Sequence, residues 1–237
     1  MPRKIYRETF DHGPAGWYGW VNNAEGMKAL PWRKGRMTTR SPWWIDYNHA
    51  PPGAGYLHML FCLCTRGPFG DQMKEMAGKN GFVAGGYPLD FRNARMTVRV
   101  RGELEARGAQ MRLLVQAKIG DIVSSWLLAK PFPVGRTWKE QSAVLTNDPK
   151  KWTPLGARYD RLDYYNVLPL DEVLRNVNVN ILFVLFPLDV RPMGPIPGHP
   201  HRLRAGKDYP VWTSRLPDGY IELDTVKLEF KVKGSAE

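Results

Sequence analysis

The chain has 237 residues, 43% of them apolar and 24% charged, and its 34 Lys and Arg against 23 Asp and Glu give a formal net charge of +11. Enough apolar surface is present to build a packed core, which excludes collagen, coiled coil and wholesale disorder. The positive field favours an acidic ligand or an anionic surface. The 23 glycines and 20 prolines are scattered between apolar runs, the pattern of many short elements joined by turns. One all-β, antiparallel sandwich spanning residues 1–237, with long loops and little helix, is therefore expected.

In chain order, short strands are expected at Lys4 to Phe10 and at Gly35 to Arg40, then a long apolar one at Tyr56 to Thr65. Cys62 and Cys64 fall on one face of that strand, a poor arrangement for a mutual disulfide, and they lack zinc-ligand spacing. Both are expected to be reduced and buried. The segment Pro68 to Pro88 resists assignment. Ala94 to Leu104 alternates, with Met96, Val98 and Val100 against Thr97, Arg99 and Arg101. After a turn at Arg107-Gly108-Ala109, Gln110 to Ala117 is expected as its hairpin mate, followed in a meander by Ser124 to Ala129 and Lys139 to Leu145.

Pro169 to Arg175 suits one or two helical turns, with Asp171 and Glu172 near the positive end. Asn176 to Phe186 is the most strand-like run, since Val177, Val179, Ile181, Phe183 and Leu185 share one phase, and it is expected to lie centrally. Leu188 to Pro217 is a second unassigned stretch, of a length that often carries function. Tyr220 to Lys231 closes the chain as a strand whose inner phase is ambiguous. The longest apolar stretch, Val177 to Leu188, is too short and too interrupted by Asn178 and Asn180 to cross a bilayer. The N-terminal residues lack an apolar leader pattern, so a cytoplasmic location is expected.

The opening Glu8-Thr-Phe-Asp11, followed by a Gly-Trp element, and the close Gly219-Tyr-Ile-Glu-Leu-Asp224-Thr-Val-Lys-Leu228 resemble carbohydrate-binding modules with the galactose-binding-like jelly roll. The resemblance spans the chain as a pattern of strands and is carried by a few residues at each end. It implies a jelly-roll sandwich, a saccharide ligand, and a structural calcium held by Asp224 and Glu8, completed by backbone carbonyls. No organic cofactor is expected.

The polar phases of the strands supply a candidate face: Arg99 and Arg101, Arg112 and Gln116, Asn178 and Asn180, and His58. If these strands adjoin, guanidinium forks and amides converge on a neutral or acidic saccharide. The competing account is an ordinary solvated sheet face. Asn178 and Asn180 stand out because Asn is depleted in strands. Aromatics crowd the first fifth of the chain, Trp17, Tyr18, Trp20, Trp32, Trp43, Trp44 and Tyr47. Most of them suit the core, but one or two, with Trp43 and Trp44 as candidates, are expected to stack on a sugar ring.

Two other function classes remain open. On the same scaffold a polysaccharide lyase would use His58 as base, a tyrosine such as Tyr159 or Tyr164 as proton donor and Arg112 to neutralise a uronate, while a glycosidase would pair carboxylates such as Asp160 and Asp163. A structural protein assembling through its sheet edges is the third reading. Dispersed Lys and Arg, with no basic helix or RNA-binding signature, argue against nucleic acid as partner. His199 and His201 have a spacing that suits a metal clip but read as a plain loop. Oligomeric state is not legible.

Overall fold

The computed structural model describes residues 4–22, 26–43, 45, 56–67, 69–156, 164–189 and 215–231. In chain order the strands are β1 (Ile5–Glu8), β2 (Trp17–Asn22), β3 (Gly26–Lys28), β4 (Met37–Arg40), β5 (Tyr56–Cys64) and β6 (Arg95–Glu105). They continue as β7 (Gln110–Ile119), β8 (Ile122–Leu128), β9 (Lys139–Val144), β10 (Trp152–Leu155), β11 (Asn180–Leu188) and β12 (Asp218–Glu229). Four short helices join them: α1 (Phe69–Gln72), α2 (Lys74–Ala77), α3 (Gly81–Ala84) and α4 (Leu170–Arg175).

The strands form two antiparallel sheets packed as a jelly-roll sandwich. One runs β1-β12-β6-β9, with β4 also on β12; the other runs β10-β8-β7-β11-β5-β2-β3. β11 lies at the middle of the second sheet, as its apolar pattern predicts. The core between the sheets takes Met96, Val98 and Val100 from β6, Ile221 and Leu223 from β12, and Leu113, Ile181, Phe183 and Leu185 from the facing strands. Each such side chain, fully buried, contributes roughly 1.5–3 kcal/mol. Among the described residues no helix is long and apolar enough to cross a membrane.

The expected meander is corrected. β6 and β7 do not pair: β6 joins β12 and β9, while β7 joins β8 and β11. The turn between them is tight, with Ala109 N–H donating to Ala106 C=O and positive φ at Arg107 and Gly108. It forms an arch that carries the chain from one sheet to the other, so the apolar phases of β6 and β7 meet across the core instead of lying side by side. The alternation in the sequence is the same for either arrangement.

The ambiguous phase of the last strand also resolves. β12 shifts register against β6 between Leu223 and Thr225, a bulge at Asp224 that moves the inward set from Ile221 and Leu223 to Val226 and Leu228.

The outer side of the seven-stranded sheet is not a simple wet face. Leu114, Leu182, Val184, Cys62 and Cys64, alternating with the core residues of their strands, gather there with Met73 and Ala77 from the α1–α2 segment. β5 and β11 are thus apolar on both phases, which explains their near-continuous hydrophobic runs. Neither cysteine is in a disulfide, and both are buried in this second cluster. α4 falls in the helical run expected at Pro169 to Arg175, while α1, α2 and α3 arise within the unassigned segment Pro68 to Pro88. There the Asn80 side chain accepts from Val83 N–H to cap α3 and donates to Cys64 C=O at 2.8 Å, pinning the helix to β5.

Candidate functional site

On the outer side of the seven-stranded sheet a ladder of polar side chains crosses several strands. Gln116 Nε2 donates to Ser125 Oγ at 3.1 Å, and Asn180 Nδ2 donates to Gln116 Oε1 at 3.1 Å. Tyr18 O–H reaches Asn180 Oδ1 at 3.5 Å and Cys64 Sγ at 3.6 Å. The pairing explains the row, because Asn180 stands opposite Gln116 on one side and Cys64 on the other, and Gln116 opposite Ser125. Gln116, Ser125, Cys64 and Tyr18 are buried. Their mutual bonds offset a desolvation that would otherwise cost roughly 1–3 kcal/mol per unmade bond.

Tyr18, Cys64, Asn180 and Gln116 of this ladder floor a cavity of about 310 Å³, while Ser125 supports Gln116 from behind. Its walls include Trp20, Met27, Met59, Met73, Tyr164 and Tyr165, and every lining residue among those described is uncharged. Burial pushes the Tyr18 phenol well above its ordinary range and the Cys64 thiol up as well. Both groups stay protonated at neutral pH, so the floor offers neutral donors and acceptors. Few convergent polar groups in a mainly apolar concavity is the make-up of a small-molecule site.

The side chains that the sequence grouped together are divided by the fold. Gln116 and Asn180 meet in the floor. Asn178 lies on the same face but spends its amide on the backbone, accepting from Lys118 N–H at 2.8 Å and donating to Lys118 C=O at 2.9 Å. Arg112 shares that face beside Val184, where it donates to Gln110 Oε1 at 2.7 Å, and it does not line the cavity. Its guanidinium is partly desolvated, which lowers its pKa.

Arg99 and Arg101 point to the opposite side of the sandwich, because β6 belongs to the other sheet. There Arg99 pairs with Asp224 at 2.5 Å and Arg101 with Glu222 at 2.6 Å, and both guanidiniums lie over the Trp138 ring, 5.1 and 4.7 Å from its centre. His58 is turned inward, fully buried, with its ring 4.9 Å from that of Trp43, itself buried. The single shared hollow expected for His58, Arg99, Arg101 and Arg112 is therefore corrected: the arch between β6 and β7 and the inward phase of His58 separate them.

Glu8 Oε1 accepts from the backbone N–H groups of Thr9 and Phe10, and Asp224 accepts from Arg99 and from Thr225 Oγ1. Among the described residues no three His, Cys, Asp or Glu side chains gather as a metal site. Trp44, Tyr159, Asp160 and Asp163 lie outside the described residues. Of the early aromatics, Trp17 is core and donates to Tyr6 O–H at 2.9 Å, whereas Tyr18 and Trp20 reach the cavity. The sequence did not mark β2 as a strand, whose alternation sends Trp17 into the core and Tyr18 and Trp20 outward. The methionines of the wall, and Ser125 behind Gln116, carry no sequence signal of a site; only the fold brings them together.

Neither a family model nor a curated protein matches this chain. Among solved structures it is similar to the L4b domain of human laminin alpha-2, with a TM-score of 0.43 and 8% identity over 96% of this chain and 98% of that one. It is also similar to CtCBM11, with a TM-score of 0.32 and 11% identity over 98% and 86% of the two chains. The family 11 carbohydrate-binding module of the cellulosomal cellulase Lic26A-Cel5E of Clostridium thermocellum gives a TM-score of 0.32 and 11% identity over 92% and 98%. Likenesses this distant assign neither family nor ligand to this chain.

Proposed function

We propose that the protein binds a neutral saccharide, one ring of which enters the cavity on the seven-stranded sheet. The observation that supports this is the amide and hydroxyl ladder of Tyr18, Asn180, Gln116 and Ser125 beneath aromatic walls. A pyranose has an apolar C–H face that suits Trp20 or Tyr164, and a hydroxylated edge that suits the Asn180 amide. The uncharged lining favours a neutral ring over the acidic one that Arg99 and Arg101 suggest in the sequence, since those cations face the other way and are paired.

Calorimetric titration against a panel of neutral mono- and oligosaccharides, with uronates alongside, tests this reading. Binding of a neutral sugar is expected, weakened about tenfold by Trp20→Ala and by Asn180→Ala, each with an unchanged fold by circular dichroism. No binding at millimolar concentration across the panel, or affinity indifferent to both substitutions, overturns the assignment.

A further inference from the structure

A second groove lies at the edge of the sandwich, away from the cavity and independent of its reading. It has a volume of about 450 Å³ and is bounded by Arg95 at the start of β6, by Ser142 to Val144 of β9, by Leu128 to Lys130 at the end of β8, and by Lys150 and Lys151 in the turn before β10. The backbone holds these cations together. Ala129 N–H donates to Lys151 C=O at 2.9 Å, which fixes the turn against the residue next to Lys130. Lys130 Nζ donates across the groove to Ser142 C=O at 2.7 Å, and an Arg95 guanidinium N–H reaches Ser142 Oγ at 3.4 Å.

Four cations thus ring one concavity, with Arg95, Lys150 and Lys151 exposed. The ion pairs among the described residues join other side chains, such as Arg99 with Asp224 and Arg101 with Glu222, and none involves these four. Asp148, the carboxylate nearest in sequence, accepts from Lys150 N–H and so caps the turn. Thr146 lines the groove with a hydroxyl that is buried and has no hydrogen-bond partner among the described residues. A cationic rim over a floor of Leu128, Ala129, Ala143 and Val144 combines charge for an ester group with apolar contact for the carbons between esters.

We propose that this groove binds a linear sulfated polysaccharide. Among the described residues its lining contains no aromatic ring on which a base would stack, which sets it apart from a single-stranded nucleic acid channel. A double helix is too wide to enter a concavity of this size and would contact only the rim. A chain of sulfated rings fits inside, with esters toward Lys130, Lys150, Lys151 and Arg95.

The test is fluorescence anisotropy with a labelled heparin-derived hexasaccharide, titrated over a range of salt concentrations. The full chain is compared with the triple variant Lys130→Gln, Lys150→Gln, Lys151→Gln, and with a control that removes the same charge elsewhere, Arg66→Gln, Lys74→Gln, Lys79→Gln. Thermal melting establishes that both variants are folded, and the Gln side chains preserve length at exposed positions.

Log K is expected to fall linearly with log salt. The groove variant should reduce that slope by about 2, at roughly 0.7 per neutralised charge on a single chain, and weaken binding at least tenfold at low salt. The control should keep the slope. The proposal is overturned if the control loses as much as the groove variant, which would indicate a diffuse field. It is equally overturned if the desulfated hexasaccharide binds as well, or if an oligo-dT of equal charge displaces the hexasaccharide preferentially, which would assign the groove to nucleic acid.

Discussion

Thr39 on β4 is fully buried and its Oγ1 has no hydrogen-bond partner among the described residues. Replacing that hydroxyl by a methyl of the same shape removes a desolvation cost and loses no bond, so Thr39→Val should stabilise the protein by about 1 kcal/mol. Differential scanning calorimetry should show Tm rising by about 2–4 °C, the shift expected for a chain of this size. Gln116 is the opposite case, since its amide bonds both Ser125 and Asn180. Gln116→Leu should cost roughly 1–3 kcal/mol by leaving those partners unmatched, read as a lower urea midpoint. The fate of individual amides was only partly legible in the sequence. Asn178 and Asn180 are the same residue on the same phase, and both were conspicuous in a strand. One meets side chains and the other the backbone of Lys118, because only the first has paired strands on both sides.

At the scale of the element, one unforgiving contact lies where β6 pairs with β12. A Cβ at Gly102 would lie 2.2 Å from Tyr220 C=O, a clash with backbone that no rotamer relieves. Gly102→Ala should therefore destabilise by about 3 kcal/mol or more, and a denaturant titration showing less than 1 kcal/mol would contradict this account. Strand positions were largely readable, at β1, at β4 to β9, and at β11 and β12, because alternation and turn residues are local signals. Partnership was not, since the arch after Glu105 and a hairpin share one pattern. β2, β3 and β10 escaped notice as short elements in stretches rich in aromatics or prolines, where tertiary pairing overrides weak propensity. The short helices of the 69–84 segment were hidden in the same way, in a stretch rich in glycine.

For the molecule as a whole, buried phenols and a buried thiol set the alkaline limit. Burial raises the Tyr6 and Tyr18 phenols far above their ordinary value near 10, and raises Cys64 above 9.0. When pH climbs past those ordinary values the unfolded chain releases its protons first, so it binds fewer than the native state and stability falls. The stability is complete below about pH 9 and declines above it, most steeply past pH 10. Urea midpoints at pH 8 and pH 10.5 should differ accordingly. Absorbance at 295 nm should show Tyr6 and Tyr18 ionising only together with unfolding; titration of all ten tyrosines in the native protein would refute the burial argument.

The seven-stranded sheet is clothed on both sides, by the main core within and by the methionine-rich cluster without, whereas the outward phase of β6 and β9 meets water. The two halves of the sandwich should therefore breathe at unequal rates. Amide protons of β7 and β11 are expected to persist in deuterated solvent long after those of β9 have gone. The ladder of Tyr18, Asn180 and Gln116 is thereby mounted on the slower half, where it arrives at any encounter already ordered.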